Sequence, residues 1–192
     1  MGKRRKKKSL AGILLLLLFL IGGVIFFSTL FRKEVSRRIE PFFEKLEVLK
    51  EKKEVILYFS SQEGEYLVGE KRKISKRKEL EEEAKELLGE LIKGPSGGLI
   101  PTLPPKTKCL NVMVNEKGLA KVNFNHSLLK DHPGGSSAEI LSAYSIVHSL
   151  TQNYPEIKKV QILVNGKPIE TISGHLSLKN PLSPNPNLIK KP

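Results

Sequence analysis

The four histidines are the side chains of this chain best suited to binding a metal ion or transferring a proton. They are His126, His132, His148 and His175, and the nearest pair, His126 and His132, has Asp131 between its members. A zinc site needs three or four ligands around the ion, and zinc-binding sequences place them at short, fixed spacings. Because no His-x3-His or Cys-x2-Cys spacing occurs, we predict no metal and no other cofactor. The histidines are interpreted as structural or solvent-exposed.

Cys109 and Ser136 are the residues to consider as nucleophiles. Either would need an adjacent base and a third group that orients the base. Cys109 lies at the start of a predicted strand, where a small apolar residue is common. Ser136 precedes Glu139 by three residues, the spacing of a capping box at a helix N-terminus. The adjacent Gly134-Gly135 could also present backbone N–H groups to an anion. We predict no catalytic residues and no enzyme.

Basic residues give the chain a net charge of +13, and outside the N-terminus they cluster at one place. The cluster is a candidate surface for an anionic partner and consists of Lys71, Arg72, Lys73, Lys76, Arg77 and Lys78. A run of charges is usually a solvated face. The alternative is a contact with anionic lipid headgroups or an acidic protein, and the sequence leaves both open.

Residues 94–107 contain four prolines and three glycines, a density that excludes a long helix or strand. Surface loops carry binding residues disproportionately often. This loop is therefore a second candidate binding surface, with Gly94, Pro95, Leu99, Ile100, Pro101 and Pro104 as its candidate residues.

The elements that position these residues follow from hydrophobic patterning. Strands are predicted at 55–59, 66–74, 109–114, 119–124, 160–164 and 168–172, and helices at 79–93 and 136–153. In the second helix, the predicted inner stripe is Ile140, Tyr144, Val147 and Thr151, and residues 125–135 are predicted to be irregular. This order predicts an α+β domain with two helices packed on one, mostly antiparallel sheet. The single cysteine excludes an internal disulfide.

The N-terminal region predicts a membrane anchor. Six basic residues at 3–8 precede 22 residues without a charge, 10–31. A helix of that length rises about 33 Å, enough to cross a hydrocarbon core of about 30 Å. The alternative, a cleaved signal peptide, is disfavoured because Ile25-Phe26-Phe27 stands where small residues are needed. Lys and Arg concentrate on the cytoplasmic side, so we predict a cytoplasmic tail at 1–9 and an extracytoplasmic remainder.

The extracytoplasmic part is predicted to contain a stalk at 32–53, one domain at 54–178 and a disordered tail at 179–192, which has four prolines and little to bury. The stalk includes a short amphipathic helix at 41–51, interpreted as a spacer; self-association or a helix on the membrane surface is the alternative. Outside the cytoplasmic membrane, the basic charge is not expected to meet nucleic acid.

Several motifs occur in an order that resembles one family. They are Val55-Ile56-Leu57-Tyr58-Phe59, Leu-x-x-Leu-Ile-x-Gly-Pro at 88–95, Ile100-Pro101 with Pro104-Pro105-x-Thr107, Lys121-Val122-Asn123-Phe124, Ile146-Val147 with Thr151, the run from Val160 to Gly166, and Gly174-His175 with Pro181-Leu182. Together, over 54–182, they resemble the GerMN domain of sporulation, germination and other bacterial envelope proteins.

The resemblance implies a ring-building-type fold, attachment outside the cytoplasmic membrane and no established catalysis. The chain differs by having one copy of the domain and a predicted transmembrane anchor in place of a lipid-modified cysteine. We therefore expect a single-pass envelope protein that binds other envelope proteins or itself as a scaffold. The alternative is a module that binds cell-wall glycan or anionic lipid, and an envelope hydrolase comes third.

Overall fold

The structure, a computed structural model, describes residues 51–190. The predicted cytoplasmic tail, the predicted transmembrane helix and the stalk up to residue 50 lie outside the described residues. Within 51–190, none of the helices has the length and apolar character needed to cross a membrane. The elements are β1 (Lys52–Ser60), β2 (Leu67–Ser75), α1 (Leu80–Lys93), β3 (Cys109–Val114), β4 (Leu119–Phe124), α2 (Ser127–Lys130), α3 (Ser136–Asn153), β5 (Lys159–Val164), β6 (Lys167–Pro168) and a 3-10 turn (Pro186–Leu188).

The first two strands form an antiparallel hairpin that stands apart as its own two-stranded sheet. Val55, Leu57 and Phe59 of β1 are fully buried in the main core. On the other side, the edge of β1 contacts α3. Asn153 accepts the Ile56 N–H at 2.9 Å and donates to the Ile56 carbonyl at 2.7 Å. Because an amide side chain takes the place of a third strand there, the sheet ends at β1.

The second sheet has the strand order β3-β4-β5-β6. β3 pairs with β4 and β5 with β6 in antiparallel fashion, whereas β4 and β5 are parallel. A parallel pair needs a long connection, and here α2 and α3 supply it. The α+β class is confirmed, but the prediction of one sheet is wrong, because α3 occupies the edge of β1 that a continuous sheet would require.

Helix α1 matches its sequence pattern closely. Ala84, Leu87, Leu88 and Leu91 are buried along one stripe, as a helical period predicts. Gly94 ends the helix with a positive φ of 86°, and its N–H donates to the Leu91 carbonyl. A glycine reaches that conformation without steric penalty, so the predicted stop at this position is confirmed.

Helix α3 is buried on most of its surface, and the predicted inner stripe is wrong. Val147 is buried, but Ile140, Tyr144 and Thr151 are partly exposed. The buried residues instead run around the helix and include Glu139, Leu141, Ser142, Ala143, Ser145, Ile146, His148, Ser149 and Leu150. The helix contacts β1, β5 and α1 at once, so it has no single inner face to read from the sequence.

Three further predictions are corrected. The short helix α2 lies inside the segment predicted to be irregular, and the returning strand after Gly166 is only β6, not 168–172. β1 begins at Lys52, two residues before the predicted domain boundary.

The segment 179–190 is ordered against the domain, contrary to the predicted disorder. Leu182 exchanges backbone hydrogen bonds with Val160 at 2.9 and 2.8 Å, and Lys190 donates to the Leu67 carbonyl at 2.9 Å. Leu182 and Ile189 supply apolar side chains that pack on the two core clusters. Those two residues give the segment enough to bury despite its prolines.

Candidate functional site

Three of the candidate residues named in the predicted binding loop line a cavity of about 530 Å³. They are Ile100, Pro101 and Pro104. The rest of the lining comes from Thr102, Leu103 and Pro105 of the same loop, from the turn at 60–64, from Asp131 and Pro133, and from Ser137, Ala138, Leu141 and Ser142 of α3. We call this site the proline cavity, after the prolines at 101, 104, 105 and 133 in its lining.

Two anchors hold the loop that forms one wall of the proline cavity. Ile100 and Ser60 exchange backbone hydrogen bonds at 2.9 and 3.1 Å, so the loop pairs with the last residue of β1. Three residues later, Leu103 is buried in the main core. The backbone of Ile100 is thus fixed, but its side chain is 44% exposed. A large apolar side chain held open to solvent at the rim of a cavity is an available contact for a partner.

The Thr102 and Ser142 hydroxyl groups on the inner wall of the proline cavity are already engaged within the protein. Ser142 donates from Oγ to the Thr102 carbonyl at 2.5 Å, and Thr102 donates from Oγ1 to Ser145 Oγ at 2.8 Å. Ser145 completes the chain by donating to the Ser142 carbonyl at 2.9 Å. These bonds fix the loop to α3 and leave mainly apolar surface facing the cavity.

His132 contacts Ser142, but the geometry is not that of a base and a nucleophile. His132 Nδ1 accepts the Gly134 N–H at 3.0 Å, so in the neutral ring the proton is on Nε2. Nε2 lies 3.0 Å from Ser142 Oγ and therefore donates to it. Burial lowers the pKa of His132 and favours the neutral ring. The imidazole has no free lone pair with which to take the Ser142 proton.

The capping box predicted at Ser136 and Glu139 is wrong. The N-cap is Gly135, with a φ of 88° and no side-chain cap. Glu139 is instead fully buried, with 0% exposure, and accepts four hydrogen bonds from one loop. The donors are the Thr171 hydroxyl and the N–H groups of Ile172, Ser173 and His175. Burial by itself raises the pKa of a carboxyl group, but these four bonds outweigh it and hold the pKa of Glu139 at about 2.

The buried Glu139 carboxylate is a structural tie that sequence reasoning missed. It joins α3 to the loop 171–175, where Thr171 also accepts the Gly174 N–H at 2.7 Å. The Gly174-His175 motif was a usable signal, because a glycine next to a polar residue after a strand marks a tight turn. Its partner, 36 residues earlier in the chain, had no local signal.

Most of the basic cluster forms ion pairs within the domain. Lys71 pairs with Glu54, Lys76 with Glu51, Arg77 with Glu86, and Arg72 with both Glu70 and Glu90. Within 51–190, Lys73 and Lys78 have no such pair. The residues at 76–78 line a separate cavity of about 550 Å³ together with Lys52 and Lys53. None of the cluster lines the proline cavity, so the two candidate surfaces are distinct.

The remaining candidates have structural roles. Gly94 accepts a hydrogen bond from Arg72 at 3.0 Å, and Leu99 packs against the main core. Neither they nor Pro95 line the proline cavity. His148 Nε2 lies 3.0 Å from the Asn185 carbonyl, which ties α3 to the C-terminal segment.

The single thiol and the potential metal ligands within 51–190 can be assessed from their burial and grouping. Burial raises the pKa of the Cys109 thiol to about 11, which keeps it protonated at neutral pH. In the part of the chain that the structure describes, no three His, Cys, Asp or Glu side chains are grouped so as to hold a metal ion.

Solved structures share this fold. A putative lipoprotein from Clostridium perfringens is 24% identical over 69% of this chain and 87% of its own, with a TM-score of 0.51. The first GerMN domain of the sporulation protein GerM from Bacillus subtilis is 23% identical over 68% of this chain and 94% of its own, with a TM-score of 0.55. The tandem GerMN domains of GerM are 21% identical over 69% of this chain and 46% of their own, with a TM-score of 0.55. At this level of identity the likeness shows the fold alone.

The sequence itself matches a family model over most of the domain. No curated protein matches the chain significantly. The model that does match is Germane, described as sporulation and spore germination, and it covers residues 56–170, from β1 to just beyond β6. This range is more than half of the chain and agrees with the resemblance in the motifs and with the fold. The chain therefore belongs to the Germane family of sporulation and spore germination domains.

Proposed function

We propose that this protein is a membrane-anchored, extracytoplasmic binding protein without catalytic activity, and that the proline cavity receives an apolar side chain of another cell-envelope protein. The observation that carries the proposal is the contrast inside the cavity. The Thr102 and Ser142 hydroxyls on its inner wall are bonded within the protein, whereas Ile100 at its rim stays 44% exposed. An apolar group can displace water from such a surface without leaving a polar group unpaired.

The same contrast disfavours the alternatives. A glycan is recognised through free donors and acceptors, and the Thr102 and Ser142 hydroxyls are occupied. Anionic lipid would use the basic cluster, where Arg72, Lys76 and Arg77 are already paired with carboxylates. A hydrolase would need a base beside Ser142, and His132 donates to that serine.

Support for the location comes from the sequence and from one structural relative. The uncharged run at 10–31 is long enough for a membrane span. The solved structure from Clostridium perfringens is described as a putative lipoprotein, a class of protein attached to a membrane by lipid. A transmembrane anchor in this chain would hold the same fold at the same surface.

The test is site-specific photo-crosslinking of the full-length protein in cells. A photoreactive phenylalanine replaces Ile100 in one variant and Met113 in the control variant, where the native side chain is 50% exposed on β3, away from the cavity. Purification under denaturing conditions and mass spectrometry identify what is attached. We expect a defined envelope protein to be captured from position 100 and not from position 113.

Two results would contradict the proposal. Equal capture of abundant membrane proteins at both positions would show that the cavity selects no partner. Crosslinks from position 100 to a second copy of the chain would instead assign the cavity to self-association, the other form of the scaffold expected from the sequence.

A further inference from the structure

One edge of the β1–β2 hairpin is open along the middle of β2. In an antiparallel pair, opposed residues either bond to each other or both turn their backbone groups outward. Ile56 and Tyr58 of β1 turn outward, since they bond to Asn153 and Ser149 of α3. Their partners across the hairpin, Lys71 and Gly69, must therefore also turn outward, on the opposite edge. The same alternation continues along β2, so the backbone groups of Lys73, opposite Glu54, also turn outward.

The open edge has a defined length. At one end, the outward carbonyl of Leu67 accepts the Lys190 N–H at 2.9 Å. At the other end, the Ser75 N–H donates to Glu86 of α1 at 2.9 Å. Between these points the outward backbone groups of Gly69, Lys71 and Lys73 have no partner within 51–190. A strand advances about 3.3 Å per residue, so the opening accepts a segment of about five residues.

The edge of β3 is covered at two points. On β3, the Leu110 carbonyl accepts from Lys85 at 2.7 Å, and the Val114 N–H donates to Glu81 at 3.4 Å. Both side chains come from α1, which therefore protects that edge. Folded proteins usually block exposed edges because they pair with other chains. Among residues 51–190 nothing covers the middle of β2 in this way, although side chains of α1 bond to the edge of β3 and side chains of α3 to the edge of β1.

Charge determines which strand fits the opening. The side chains of Lys71 and Lys73 lie on one face of the hairpin, because successive side chains of a strand point to opposite faces. Within 51–190, Lys71 forms an ion pair with the exposed Glu54, and Lys73, which lies opposite the same Glu54 on β1, forms no ion pair. One exposed carboxylate therefore faces two lysines. A second copy of the chain, adding through its own β2, would oppose lysine to lysine. An acidic strand would oppose carboxylates to them, and opposite charges across strands are stabilising.

We propose that β2 between Gly69 and Lys73 is a docking edge for an extended, acidic segment of a partner protein, which adds to the hairpin as a third strand. The backbone groups of the three outward residues supply the hydrogen bonds, and Lys71 and Lys73 supply selectivity for acidic side chains. Strand addition of this kind takes affinity from the main chain and specificity from alternate side chains. The proposal is independent of the proline cavity, which shares no residue with this edge.

The test uses three synthetic seven-residue probes with the full chain in nanodiscs of uncharged lipid. The first alternates Thr and Glu, and the second alternates Thr and Lys. The third repeats the acidic sequence with backbone N-methyl groups at every second residue, so that it keeps the charge but cannot form the strand bonds. Fluorescence anisotropy measures binding, and amide hydrogen exchange followed by mass spectrometry measures protection of β2.

We expect the acidic probe to bind about tenfold more tightly than the basic one, from two cross-strand charge pairs. It should slow exchange at 69–73, and the N-methylated probe should do neither. The double variant K71E/K73E should reverse the preference between acidic and basic probes. The matched control is K117E/K121E, which makes the same charge change at exposed residues on β4 and the turn before it; there the preference should be unchanged.

Equal binding of the acidic probe and its N-methylated form would overturn the proposal, because attraction would then be electrostatic without strand addition. Loss of the charge preference in both double variants alike would also contradict it. If K71E/K73E fails to fold, the comparison of the two acidic probes on the unmodified chain still decides the question.

Discussion

Glu139 carries a negative charge in the interior, and within 51–190 no lysine or arginine forms an ion pair with it. Its ionised form is stabilised by four hydrogen bonds from one loop. Its Oε1 atom accepts three of them and Oε2 accepts the His175 N–H at 2.7 Å. Bonds to an ionised acceptor are stronger than those between neutral groups. The loop 171–175 is therefore held to α3 mainly by one side chain.

Replacing Glu139 with Gln should lower the free energy of unfolding by about 2–3 kcal/mol, because the amide nitrogen would face the His175 N–H and the charge would be lost. Urea unfolding of the full chain in mild detergent, followed by circular dichroism, measures the change. The control is Glu170→Gln, which alters an exposed carboxylate in an ion pair with Lys179; a small effect is expected there. An equal loss in both variants would contradict the structural role of Glu139.

The pH dependence of stability should also depend on Glu139. Its pKa is about 2 in the folded protein and near 4.5 in the unfolded chain. The stabilisation is therefore complete above pH 4.5 and is lost as the pH falls toward 2, by an amount on the order of 3 kcal/mol. In Glu139→Gln this decline should be shallower, as the same unfolding experiment at pH 6, 4 and 3 would show. If the free energy of unfolding fell equally with pH in both proteins, Glu139 would not be the group with the lowered pKa.

Among the elements, the contact between α3 and β1 has an unusual construction, since side chains of a helix complete the edge of a strand. Asn153 bonds to both backbone groups of Ile56, and Ser149 accepts the Tyr58 N–H at 3.0 Å. The substitution Asn153→Ala leaves both Ile56 groups unpaired and should destabilise the domain by about 2 kcal/mol. Unfolding titrations measure the loss, and hydrogen exchange at Ile56 should become faster.

The neighbouring variant Gln152→Ala serves as the control for Asn153→Ala. Gln152 is exposed on the same helical turn, so its removal should change stability by no more than about 0.5 kcal/mol. If Asn153→Ala were as mild as the control, the helix would hold β1 through apolar packing alone.

The elements that depend on local pattern could be predicted from the sequence. Helix α1 has a single apolar stripe and a glycine stop, and the β3–β4 hairpin has alternating residues around a turn at Gly118. The buried positions of α3 and the packing of the C-terminal segment could not be predicted, because both depend on partners far away in the chain. Asn153 and Ile56 are 97 residues apart. Polar residues such as Ser149 fill buried positions that a hydrophobic pattern assigns to the surface.

Only one wall of the candidate site could be predicted from the sequence, because the other wall depends on distant segments. The composition of residues 94–107 marked Ile100, Pro101 and Pro104 as a binding loop, and these residues do line the proline cavity. The opposite wall comes from the turn after β1 and from α3, which only the fold brings together. Gly94 and Leu99 have the same composition signal but serve the end of α1 and the core.

For the whole molecule, the N-terminal 31 residues should determine location. Deleting residues 2–31 should move the protein from the membrane pellet to the soluble fraction after alkaline carbonate extraction, because the uncharged run at 10–31 is removed. The full-length chain should stay in the pellet and keep its N-terminus, as intact-mass measurement would show. A mature protein that begins after residue 31 would identify the run as a cleaved signal peptide.

The C-terminal segment has a consequence for the timing of folding. The β1–β2 hairpin is the first part of the domain to be synthesised, yet Asn153 completes one of its edges and Lys190 bonds to the other. Contacts of such high sequence separation slow folding, since the intervening chain must be closed into a loop first. In the proposed membrane-anchored protein, the hairpin therefore stays incomplete until residue 190 has emerged from the membrane. During that interval the hairpin is a natural client for a holding chaperone in the receiving compartment.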